Sequence, residues 1–351
     1  MYQPKLKLRA LTVLAGIATA FFASAAHSQT TEIREKEVSL KGANRVMLSG
    51  TLSLPASPGK FPALLFISGS GPTDRDGNSS VGVKTDLFRL LATSLAKNGV
   101  ASLRFDKRVA GNARKLIPRT QNELSEYCSW EYFVADAEDA FRFLQKQPEI
   151  DAKSTGIFGH SEGGMLALQM SNNLKLNPPA VLIIAGTPGR KIDVILHDQL
   201  SLIMTNQKAP PDTIAMILKK NAEICDAIRK TGVIPNDVPP GLAALYPAYI
   251  GKFLHSELAF DPIVCASNYE GPVLILQGEK DSQVSAIFDA PLLEKALKKR
   301  VNGRQELFIA PGASHNLKAL KNESDLGFEG AVEPTTLQKI IDWVKSNLKK
   351  G

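Results

Sequence analysis

The chain has 351 residues, 44% apolar and 22% charged, proportions that exclude a disordered or collagen-like polymer and suffice for a large buried core. Its 42 Lys and Arg against 35 Asp and Glu give a net charge of +7, but the basic residues are scattered apart from short runs such as Lys298-Lys299-Arg300. A nucleic-acid or lipid-headgroup surface is therefore not expected.

In chain order, Lys5, Lys7 and Arg9 precede an apolar stretch at residues 10–22 that is short for a membrane span, and Ala26-His27-Ser28 offers the small residues a signal peptidase reads. Residues 1–28 are expected to be a secretory signal. The chain would then be periplasmic or secreted, with no stable membrane insertion after cleavage; the alternative is an uncleaved anchor. Removing the signal takes three basic residues and no acid, leaving 39 against 35, or about +4. The three cysteines, Cys128, Cys225 and Cys265, are too few for a disulfide scaffold, though outside the cytoplasm they permit one bridge of unspecified pairing.

Residues 31–54 alternate apolar and polar side chains in two runs broken at Gly42-Ala43-Asn44, which predicts an antiparallel hairpin. Parallel units follow. Residues 61–67 read as a strand, Leu87, Leu90, Leu91 and Leu95 share one face of a helix ending at Asn98-Gly99, and residues 100–105 read as the next strand. A long helix is expected from a Ser129 cap through Trp130, Phe133, Val134, Ala137, Phe141 and Leu144, leading into a strand at 154–158, and residues 179–185 give another strand. Strands alternating with helices imply a mostly parallel sheet covered on both faces.

About 85 residues then pass without a clear strand, more than one crossover needs, so residues 187–270 are expected to form a helical cap between two parts of the core, 29–186 and 271–351. Ile192, Ile195, Leu196, Leu200, Ile203 and Met204 repeat at helical spacing, and a second apolar stretch runs through Leu242, Leu245, Tyr246, Tyr249, Ile250, Phe253 and Leu254. These faces would pack together and line an apolar pocket.

Gly159-His160-Ser161-Glu162-Gly163 lies between the 154–158 strand and a helix with small residues in its first turn. That context presents a nucleophilic serine on a sharp turn, where the flanking positions must carry little or no Cβ. A serine so placed needs a base and a group that orients it, in the order Ser, acid, His. Among five histidines, His27 lies in the signal, His160 lies in the turn, and His197 and His255 precede the best acid, which leaves His315. Asp281 follows the strand at 272–278 and His315 follows the strand at 306–310, so both are expected at the carboxyl edge of the sheet with Ser161. Glu279 is the rival acid.

The turn, the strand-end Asp281 and His315 and the insertion before the acid strand together resemble an α/β-hydrolase. Segments 68–78 and Leu103-Arg104-Phe105-Asp106-Lys107-Arg108 are similar to loops of a bacterial branch of serine esterases and acyl-peptidase-like hydrolases. Many relatives have His-Gly where this chain has Ser68-Gly69, and a Gly where it has Val109. The resemblance implies that Ser161 attacks a carbonyl carbon, His315 relays the proton and Asp281 orients the ring. It also implies that the backbone N–H groups of Glu162 and of Ser70 or Gly69 hold the oxyanion.

The Glu162 carboxylate is expected either to pair with Arg75 or Arg104 or to face the pocket and favour a cationic substrate end. Asp106-Lys107-Arg108 is expected to form ion pairs that fix loops. Asp74, Asp76 and Asn78 do not make a calcium loop, because the glycine and the bidentate acid are misplaced. No cofactor or metal is expected. The resulting expectation is an exported serine carboxylesterase acting on small or medium acyl esters, with an aminopeptidase or amidase as alternative, for which cap acids such as Glu257 would matter. A catalytically silent binding protein is a further alternative.

Overall fold

The structure is a computed structural model that describes residues 32–174, 177–322 and 325–348. The expected signal lies outside the described residues. Among the described residues, eight strands form one sheet: β1 (Arg34–Lys41), β2 (Met47–Leu54), β3 (Phe61–Ile67), β4 (Ala101–Phe105), β5 (Ile150–His160), β6 (Leu182–Ala185), β7 (Val273–Gly278) and β8 (Gln305–Ala310). Their order across the sheet is β1-β2-β4-β3-β5-β6-β7-β8. The β1–β2 and β2–β4 pairs are antiparallel and the remaining pairs parallel. The expected hairpin is thus present, turning through Ala43–Arg45 with Asn44 and Arg45 at positive φ.

Among the described residues, ten helices connect and cover the strands: α1 (Leu87–Lys97), α2 (Gln121–Tyr127), α3 (Trp130–Gln145), α4 (Glu162–Asn173), α5 (Ile192–Asn206), α6 (Pro211–Thr231), α7 (Gly251–Ala259), α8 (Pro262–Asn268), α9 (Asp289–Lys298) and α10 (Pro334–Asn347). Successive strand side chains point to opposite faces. Leu64, Phe66, Phe158, Leu274 and Leu276 therefore pack with α1 and α10, while Leu65, Ile67, Ile157, Val273 and Ile275 pack with α3, α4 and α9. Both faces are covered, and the central strands are apolar throughout for that reason.

Helices α5 to α8 occupy the stretch between β6 and β7. In the apolar stretch at 242–254, Pro247 lies between two short 3₁₀ turns, and only α7 is a regular helix. One local expectation fails. In α5 only Ile195 is fully buried, while Ile203 is 52% exposed. Helix α6, which the apolar spacing does not mark, instead buries Asn221, Ile224, Cys225 and Ile228. Ser129 does stand at the N-cap of α3, but its hydroxyl makes no capping bond. Cys128, Cys225 and Cys265 are all free thiols.

Candidate active site

Parallel register brings the ends of the strands to one edge. Ile67 pairs with Gly159, His160 with Ala185, Ala185 with Leu276, and Gly278 with Ala310. Everything that follows these residues therefore emerges together.

Ser161 sits between β5 and α4 at φ 56° and ψ −124°, a conformation costly for a residue with a Cβ and one held here by its surroundings. Its N–H donates to Ala185 O at 2.8 Å, and the glycines on either side allow a close crossing. A Cβ on Gly163 would collide with the carbonyls of Ile67 and Ser68, and one on Gly159 would collide with the Gly163 carbonyl. The loop after β3 passes over the serine so closely that a Cβ on Gly69 would lie 3.1 Å from Ser161 Cβ.

His315 Nδ1 donates to Asp281 Oδ2 at 2.7 Å. The Asp281 carboxylate also accepts from Gln277 Nε2 at 2.7 Å and from the N–H groups of Gln283 and Val284 at 2.8 and 2.9 Å. Burial pushes Asp281 up, but the His315 charge and these hydrogen bonds outweigh it and hold the carboxyl below its ordinary value. Glu279, the rival acid, instead accepts from the Gly312 N–H at 2.7 Å in an exposed position. Geometry thus separates two carboxylates that the chain places two residues apart.

His160, set aside on sequence order, lies beside His315 with ring centroids 4.7 Å apart. Its Nε2 is 2.8 Å from the His315 carbonyl oxygen; a carbonyl only accepts, so Nε2 carries the hydrogen. Burial, together with the neighbouring His315, lowers its pKa to about 3. His160 is therefore a neutral strut for the backbone of His315. Gln277 plays a similar part for Asp281, and no sequence signal marked either residue.

The Glu162 carboxylate pairs with neither Arg75 nor Arg104. Arg75 is taken by Asp106 and Glu37, and Arg104 by Asp76 and Glu35. The partner of Glu162 is Lys107, whose ammonium donates to Glu162 Oε1 at 2.6 Å and to the Gly69 carbonyl at 2.7 Å. Both side chains are about 5% exposed, at 5% for Lys107 and 6% for Glu162. Each residue of Asp106-Lys107-Arg108 is thus ion-paired, Arg108 with buried Asp136 at 2.7 Å. Asp74 closes a turn by accepting from the N–H groups of Asp76 and Asn78.

A cavity of about 750 Å³ opens at this edge, lined by Ser161, His315, Gly69, Ser70, Lys107 and Glu257. Ile192, Ile195 and Leu196 of α5 also line it, as do Tyr246, Tyr249 and Phe253; Leu200, Ile203 and Met204 do not. Among the described residues, no cluster of His, Cys, Asp or Glu could hold a metal ion, and no helix is long and apolar enough to cross a membrane.

A family model described as BAAT / Acyl-CoA thioester hydrolase C terminal matches residues 129–319. Esterase EstD of Thermotoga maritima is 26% identical over 313 residues, covering 88% of this chain and 67% of that protein. Human mitochondrial acyl-coenzyme A thioesterase 2 is 31% identical over 134 residues, which span 38% of this chain and only 23% of the thioesterase. Among solved structures, Pyrococcus furiosus esterase Pf2001 superposes with TM-score 0.56 at 14% identity, covering 90% of this chain and 92% of that one. Est1E from Butyrivibrio proteoclasticus superposes with TM-score 0.51 at 15% identity, covering 88% and 96%. The shared architecture is the α/β-hydrolase fold.

Proposed function

Because the chain belongs to the BAAT / acyl-CoA thioester hydrolase C-terminal family, we propose that it is an exported serine hydrolase that cleaves carboxylic esters of small or medium acyl groups through an acyl-enzyme. The observation that carries this reading is the buried His315–Asp281 pair, whose histidine lines the same largely apolar cavity as Ser161. Ser161 Oγ attacks the ester carbonyl carbon while His315 Nε2 takes its proton, and Asp281 holds the Nδ1–H tautomer and stabilises the imidazolium. His315 then returns the proton to the departing alcohol. A water molecule, deprotonated by the same nitrogen, releases the acid from the serine.

The oxyanion donors are backbone N–H groups of Glu162 and the loop after β3. In a trans peptide the C=O and N–H point in opposite directions. Lys107, by holding the Gly69 carbonyl, turns the N–H of the same peptide, that of Ser70, the other way, and this favours Ser70 over Gly69 as donor. Residues 187–270 act as the cap that walls the cavity, and the apolar leader at residues 1–28 supports export.

The test is hydrolysis of p-nitrophenyl acetate, butyrate and octanoate, with butyryl-thioester and aminoacyl-anilide arms, followed by reaction with a p-nitrophenyl alkylphosphonate and mass mapping of the adduct. Ester turnover with the adduct on Ser161 is expected. Thioester turnover at comparable or greater rates would favour a second reading that the family match also supports, and anilide turnover alone would favour an amidase. No turnover and no adduct would defeat all of these.

Lys107→Met is expected to lower kcat by roughly 10²-fold with a much smaller change in KM, since an oxyanion donor is needed only as charge develops. It also strands the buried Glu162 carboxylate, at a cost of about 3–5 kcal/mol in stability. The double variant Lys107→Met/Glu162→Gln is expected to recover most of the thermal midpoint but not kcat. Joint recovery of both would show that Lys107 serves folding alone.

A further inference from the structure

Glu257 is a buried carboxyl that the proposed chemistry does not use. It lies on α7 at 4% exposure and lines the same cavity as Ser161. Among the described residues its side chain has no hydrogen-bond partner. The charged groups acting on it are Glu162 and Lys107, yet both Lys107 contacts are committed elsewhere, to Glu162 and to the Gly69 carbonyl. Two carboxyls therefore face one ammonium, and the one on α7 is left over. Glu162, the other acid that could meet a cation, has its charge already answered by Lys107.

The walls around this surplus carboxyl are aromatic as well as apolar, with Phe133, Tyr246, Tyr249 and Phe253 all lining the cavity. The Lys107 ammonium already lies 5.1 Å from the centroid of the Phe133 ring. Ring faces and an unanswered carboxyl both favour an organic ammonium group once water is excluded, whereas a neutral ligand would gain nothing from the carboxyl's charge. We propose that Glu257 forms a cation subsite in the cavity, which selects substrates carrying an organic ammonium group.

This subsite deepens the ester-hydrolase reading and rests on it for its place in turnover, but the binding itself does not. In the empty cavity, burial and then the neighbouring Glu162 charge raise the Glu257 pKa well above its ordinary value, against the opposing effect of Lys107. An arriving cation offsets that penalty. Glu257 then gives its proton to the buffer and the complex is neutralised by the ligand's own charge, so cation affinity should rise with pH and binding should release a proton.

The probes are choline and its uncharged isostere 3,3-dimethylbutan-1-ol, titrated calorimetrically into the native protein, Ser161→Ala and Glu257→Gln at acid, neutral and alkaline pH. Buffers of different ionisation enthalpy report the released proton. Choline is expected to bind the native protein and Ser161→Ala more tightly than the isostere, by on the order of tenfold, with a proton released and with the preference growing as pH rises. Glu257→Gln, nearly isosteric, should remove both the preference and the proton release. The proton release on the native protein decides the matter even where the variant folds poorly. Equal affinity for the two probes, a preference retained in Glu257→Gln, or binding without proton release would each overturn the subsite. Failure of ester hydrolysis with these binding signatures intact would overturn the catalytic reading instead, because the titration needs no turnover.

Discussion

Ser161→Ala is expected to lower kcat/KM for p-nitrophenyl butyrate by about six orders of magnitude, the scale at which removal of a triad serine acts. The loss should fall on the chemistry and not on the fold. Alanine keeps the Cβ that already sits at φ 56°, and the Ser161 N–H bond to Ala185 O belongs to the backbone. The backbone N–H groups proposed to hold the oxyanion also remain, so a residue of catalysis about 10³-fold over water should persist. Rates measured beside thermal midpoints check this. Substantial activity in a variant with a native midpoint would remove Ser161 from the mechanism, and a collapsed midpoint would mean that the hydroxyl carries structure.

Asp281→Asn is expected to lower kcat by about 10⁴-fold, whereas Glu279→Gln should change it little. Asp281 accepts from His315 Nδ1, Gln277 and two backbone N–H groups. An asparagine amide facing His315 with its NH₂ would meet the Nδ1 hydrogen, and the ring would turn or take the other tautomer, losing Nε2 as a base. Glu279 answers only the Gly312 N–H at the surface, and a glutamine carbonyl can do the same. The opposite ranking of the two variants would move the acid to Glu279.

The pair also has a pH signature. The folded-state pKa of Asp281 is lowered, so its contribution to stability is present above the ordinary carboxylate range and is lost only as pH falls through the lower folded value. In Asp281→Asn that part of the acid-induced loss of stability should be missing from the pH dependence of the thermal midpoint.

The Lys107 and Glu257 variants probe a different part of the cavity wall. They bear on two buried acids near one base that pairs with only one of them, where the outcome depends on three elements distant in sequence: the turn after β4, the start of α4 and the helix α7.

What the chain order alone made legible is what short-range physics encodes. The strands β3, β6 and β7 appear as apolar runs because both of their faces are covered. The turn around Ser161 appears because a tight strand-to-helix crossing admits only glycine at Gly159 and Gly163. The order Ser161, Asp281, His315 follows because each stands just past a strand end. Choices between near neighbours were not legible: Asp281 and Glu279 share one turn, and only the direction of each carboxyl from β7 separates them. Nor were the partners of Glu162, the support His160 gives to His315, or the surplus acid Glu257. Lys107 meets Glu162 across 55 positions of chain, and such contacts depend on strand register and on the angle at which the helices return to the sheet. The short turns that flank Pro247 belong with these, because a proline supplies no backbone donor and the chain there bends from one 3₁₀ turn into the next before α7 begins.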